Sequence, residues 1–166
     1  MVKKIVLILS VFMLAVTSFA TNNVELNAGA EDFRYDIEYC QTAADGMVMV
    51  KVWSYAKKAN NALALSRVNA VHGVIFRGYA SSSAATSQRP LVSDPTIEST
   101  KADFFEAFFK EDGPYLRYVS TVLEGSEEVR KVGKEYKVGV VVTVNKDMLR
   151  KHLEQAGVVR GLGSGF

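Results

Sequence analysis

The chain is poor in several things, and each shortage closes a class of function. It has one Cys and two His among 166 residues. That excludes a disulfide scaffold and argues against a Cys/His zinc module. Three Pro and 12 Gly are too few for a collagen-like or low-complexity chain. Neither sign of charge is in excess, with 20 basic and 18 acidic residues. There is no H-E-x-x-H helix and no G-x-S-x-G elbow. What is present is ordinary globular composition, 48% apolar and 23% charged.

The long apolar run lies at the N-terminus. Met1–Ala20 reads MVKKIVLILSVFMLAVTSFA. Lys3 and Lys4 make a positive start, Ile5–Val16 is almost uninterrupted apolar, and Ser18-Phe19-Ala20 has the small residues of a cleavage site. The run is shorter than the roughly 20 residues needed to span a bilayer. The expectation is a Sec-type signal peptide cleaved after Ala20, a periplasmic or secreted protein, and no stable membrane span afterwards. Removing Lys3 and Lys4 leaves the basic count equal to the acidic count of 18. A balanced mature chain gives no reason to expect a nucleic-acid partner. Cys40 is the only Cys, so no lipid-anchoring Cys follows the signal.

Residues 21–32 read as a flexible leader, 33–157 as one domain and 158–166 as a flexible Gly-rich tail. Phe33 to Cys40 alternates apolar and polar, the mark of a half-buried strand. Asp45-Gly46 supplies a turn, and Met47–Ala56 a second strand, with Val48, Val50 and Val52 on one face and Met49, Lys51, Trp53 and Tyr55 on the other. From Lys57 the period becomes helical, with Ala64, Val68, Val71 and Ile75 on one stripe and Gly78 as the stop. Residues 79–99, with Ser81-Ser82-Ser83, Pro90 and Pro95, read as a long, mobile, exposed loop. A short helix follows, capped by Ser99 or Thr100 and carrying Phe104, Phe105, Phe108 and Phe109. Residues 115–123 read as strand. Glu127–Val132 and Glu135–Val144 form a hairpin around Gly133-Lys134. Asn145 is placed to cap a last helix striped with Met148, Leu149, Leu153 and Ala156, and Gly157 to end it. The order predicts an α+β fold: an antiparallel sheet of hairpins with two or three helices packed on it.

Chemistry-bearing residues are sparse. His72 and His152 have no His or Cys one helical turn away, so they read as structural. No nucleophile signature surrounds Cys40 in IEYCQTA. The pairs Glu111-Asp112 and Glu127-Glu128, and Asp36 with Glu38, read as charged edges and turns. Gly161 to Gly165 lacks the following helix that a phosphate loop requires. No catalytic residue, metal ligand or cofactor is expected.

Two segments carry a family likeness. KKANNALALSRVNAVHGVIFRG spans 57–78, and KEYKVGVVVTVNKDMLRKHLEQAG spans 134–157. With the element order they resemble the N-terminal domain of the FlgT flagellar-assembly protein and related small periplasmic or outer-membrane lipoprotein domains, over roughly residues 33–157. That resemblance implies Ala-rich helices on a small sheet and a role in envelope assembly, with no catalytic residues to carry over. The absent lipid-anchoring Cys and the Ser-rich 79–99 insertion depart from the pattern.

The functional expectation is an exported, non-enzymatic protein acting through contact with an envelope or surface protein, homo-oligomerisation remaining compatible. The contact candidates are Trp53 and Tyr55 on the sheet, Arg89 and Leu91 in the loop, Phe104 and Phe108 on the Phe-rich helix, and Leu162 and Phe166 in the tail. The alternatives are a periplasmic carrier of a small apolar ligand, with Phe104 and Phe108 lining its cavity, and a hydrolase using Cys40 or paired acids.

Overall fold

A computed structural model of the chain describes residues 33–80, 87–122 and 124–161. The expected signal, its cleavage site, the leader, Ser81-Ser82-Ser83, Leu123, Leu162 and Phe166 lie outside the described residues. The elements run β1 (Tyr35–Thr42), β2 (Met47–Ala56), α1 (Ala59–His72), a π-helical turn (Gly73–Arg77), α2 (Ile97–Thr100) and α3 (Ala102–Phe109). A 3₁₀ turn (Pro114–Tyr118), β3 (Val119–Val122), β4 (Glu128–Val132), β5 (Glu135–Asn145) and α4 (Lys146–Gln155) follow. This is the α+β class: an open antiparallel sheet of five strands with four helices.

β5 organises the sheet. Its 11 residues are long enough to pair β2 along one edge, while β3 and β4 share the other. β1 closes the order as β1-β2-β5-β3, with β4 beside β5. Both hairpin turns use left-handed backbone: Asp45 and Gly46 at φ 57° and 72°, and Gly133 at φ 62°. No described helix is long and apolar enough to cross a membrane.

Period-2 alternation puts Val48, Val50 and Val52 of β2 and Val138, Val140, Val142 and Val144 of β5 on one face, all buried. α1 lies on that face through Ala62, Val68, Val71 and neighbours. At 25 cal/mol per Å², each fully buried Val or Leu contributes about 1.5–3 kcal/mol against exposure. Two polar residues enter this core as a bonded pair, Asn69 Nδ2 donating to Ser54 Oγ at 2.8 Å. α4 begins where expected, Asn145 Oδ1 accepting from the Met148 amide at 2.9 Å, and Gly157 ends it at φ 65°.

Several local expectations are corrected. Ala64 faces solvent, because the buried arc of α1 runs through Ala62, Ser66 and Asn69 instead. The Phe-rich helix has no side-chain cap; Ile97–Thr100 is itself a helical turn, and Lys101 joins it to α3. Residues 114–118 form a 3₁₀ turn, so the strand starts only at Val119. Met148 is exposed, and Leu149 and Leu153 carry the packing of α4. The described parts of 79–99 are exposed only in places. Tyr79, Leu91 and Val92 are buried. The amides of Leu91 and Val92 donate to the carbonyls of Val74 and Ile75 at 3.2 and 2.9 Å. Those carbonyls lie in the π-helical turn at the end of the long helix, where a helix leaves acceptors unfilled.

Candidate functional site

The second face of the sheet carries Asp36 and Glu38 from β1, Lys51, Trp53 and Tyr55 from β2, Lys137 and Gly139 from β5, and Glu128 and Arg130 from β4. The contiguous core gathers buried side chains from the strands and helices on the other face, and Trp53 is not among them. Trp53 is nonetheless only 7% exposed. Its indole lies on Gly139, directly across the β2–β5 pair, where a Cβ would fall 2.6 Å from ring carbons Cε3 and Cζ3. Only glycine leaves room for a ring lying flat on the strand.

Cations roof the indole. Lys51 Nζ, Arg130 Cζ and Lys137 Nζ stand 4.6, 4.9 and 5.1 Å from the ring centroid. Each cation is also paired with an acid. Lys51 bonds Glu128, Arg130 Nη2 meets Glu128 Oε2 at 2.9 Å, and Lys137 Nζ meets Asp36 Oδ2 at 2.8 Å. Trp53 Nε1 donates to Glu38 Oε1 at 3.2 Å, and Tyr55 Oη–H to Asp36 Oδ2 at 2.9 Å. The Lys51 and Lys137 ammoniums hold the Glu128 and Asp36 carboxyls below their usual range, and Asp36 raises Lys137. The face is a lattice of alternating charge around one aromatic ring, with no helix laid over it among the described residues.

Apart from Trp53 and Tyr55, the candidate residues fall elsewhere. Tyr55 lies half-buried on this face, and Arg89 is exposed beside Pro90. Leu91 and Phe108 are both buried in the core, Phe108 at 1% exposure. Phe108 is held there by rings, His152 and Tyr118 lying 5.6 and 6.0 Å away. Phe104 is half-buried beside it, stacked at 5.7 Å. Phe108 belongs to the core and Phe104 packs against it from its edge. Cys40 is exposed on β1, and partial burial of its sulfur pushes the thiol pKa up, against nucleophilic use.

One cluster was not legible in the sequence. Tyr35 Oη–H donates to His72 Nδ1 at 2.6 Å, and His72 Nε2–H donates to Glu98 Oε1 at 2.9 Å. Phe33 stacks on the imidazole at 3.6 Å, and Phe76 and Phe109 close the remaining sides. Arg77 lies over the Tyr35 ring and donates to the carbonyls of Tyr35 and Phe33. Burial lowers the His72 pKa despite Glu98, and burial raises that of Tyr35. A tyrosine, a histidine and an acid in line have the form of a proton relay. Here phenyl rings enclose the imidazole while Glu98 is partly exposed, and the chain ties β1, α1 and α2 together. No group of three or more His, Cys, Asp or Glu able to hold a metal occurs among the described residues.

Compared with family models, curated protein sequences and solved structures, the chain gives no match.

Proposed function

We propose that this chain is an exported, non-enzymatic domain that acts by protein–protein contact in a bacterial envelope or surface assembly, and that its Trp53-centred sheet face is the contact surface. The observation that supports this reading most directly is the one-sided layering: helices on one face, and on the other a patterned polar surface around Tyr55, Lys51, Lys137 and Arg130. Antiparallel sheets tolerate a solvated face, and alternating charge on such a face favours a partner of complementary pattern. The signal-like Met1–Ala20 segment supports export, and the likeness to FlgT-type domains accords with assembly work.

The test is a photo-reactive residue placed at Tyr55 in the native envelope, against a control at Lys151 on α4. A discrete adduct from Tyr55 alone, lost when Lys137 and Arg130 are both changed to Glu, is the expected result. Matching adducts from both positions, or none from Tyr55, would refute the contact surface. Recovery of the protein with residues 1–20 still attached would refute export by cleavage.

A further inference from the structure

A cleft of about 730 Å³ lies between the 90–97 segment and the end of α4. Its size suits a small molecule, for which sites run from about 300 to 1,000 Å³. Both walls are held by the backbone. The Leu91 and Val92 amides bond the π-helical turn, as described above. Across the cleft, Gly157 turns the chain, and the amides of Val158 and Val159 donate to the Leu153 carbonyl at 2.9 and 3.3 Å. The floor is apolar, with Leu91, Val92 and Val158 buried and Ile97 and Val159 partly so.

The polar groups are divided by wall. Arg150 and Arg160 stand on the α4 side, and Asp94, the only acid in the lining, stands opposite. Asp94 Oδ1 is occupied by the Thr96 amide and hydroxyl at 2.9 and 2.8 Å. Arg150 Nε donates to Glu154 Oε1 at 2.9 Å, which fixes the guanidinium; its two Nη groups have no partner among the described residues. Arg160 forms no ion pair among them. A guanidinium offers paired N–H groups in the fork that a carboxylate accepts.

We infer that this cleft binds a small organic carboxylate with an apolar body, its head group on Arg150 and Arg160 and its body on the Leu91–Val158 floor. The site is independent of the proposed contact face. The carboxylate enters ionised and no bond is made or broken. A cationic head group finds only Asp94, one of whose oxygens is already engaged.

The test is ¹H–¹⁵N NMR of the full chain, titrated with sodium octanoate and separately with octylammonium. Saturable shifts confined to the cleft lining, at Val92, Ile97, Arg150, Val158, Val159 and Arg160, are expected with octanoate, and octylammonium should bind about tenfold more weakly or worse. Arg150→Gln with Arg160→Gln should weaken octanoate binding by about tenfold while the other resonances keep their positions, which shows the variant folded. Three outcomes overturn the inference: no saturation by about 10 mM octanoate, equal binding of the two amphiphiles, or undiminished binding by the double variant.

Discussion

Tyr35→Phe isolates the buried Tyr35–His72–Glu98 chain. A carboxylate can only accept, so the His72 hydrogen sits on Nε2 toward Glu98, and Nδ1 accepts from Tyr35. Removing the hydroxyl leaves Nδ1 without a donor. Phe33 at 3.6 Å, Phe76 at 4.8 Å and Phe109 at 5.7 Å leave little room for water to replace it. A lost hydrogen bond together with a stranded buried acceptor costs about 1–3 kcal/mol. The effect should also depend on pH. Burial holds the folded His72 below the unfolded value, so the unfolded chain takes up the proton first. Stability from this group is therefore complete above about pH 6.5 and is lost as pH falls through the folded value, by at most about 1.4 kcal/mol per pH unit. Arg77 adds to the lowering, and Glu98 opposes it. In Tyr35→Phe, protonation at Nδ1 no longer displaces a donated hydrogen. The folded value rises and the pH dependence shrinks, so the variant loses more relative to the parent near pH 7.5 than near pH 5. Urea unfolding followed by fluorescence of Trp53, the only Trp, measures both. A variant within about 0.5 kcal/mol of the parent near pH 7.5, or one equally destabilised at both pH values, would refute the reasoning.

Gly139→Ala should destabilise by about 1–3 kcal/mol, because its Cβ overlaps the Trp53 ring at 2.6 Å and the roofing cations leave the indole little freedom; an unchanged urea midpoint would contradict the flat indole. Asn145→Ala should cost about 1 kcal/mol by stranding the Met148 amide, with Asn145→Asp recovering most of it in thermal melts. Cys40 should alkylate in the folded chain, but more slowly near pH 8 than a free thiol, as its raised pKa requires. Labelling that appears only in urea would show that Cys40 is enclosed.

The strands, their faces and the two tight turns were legible along the chain because they follow local rules. Valines at every second position from 48 to 52 and from 138 to 144 have one way to bury themselves, and Gly133 tolerates the backbone the turn requires. Asn145 and Gly157 end α4 for equally local reasons. Where the reading failed, side-chain packing or a tertiary hydrogen bond decided the outcome. Tyr115–Tyr118 looks like strand until Tyr115 and Tyr118 find their places against the Phe cluster. Leu91 looks exposed until its amide finds the Val74 carbonyl. His72 and Glu98 are 26 residues apart, and no spacing rule joins them. Thus α+β class, element order and the opposed faces of the sheet were properties of the sequence itself. Which face stayed open, what roofs Trp53 and how the Arg150 cleft is walled were decided only in the tertiary structure, because each depends on long-range burial that local periodicity does not encode.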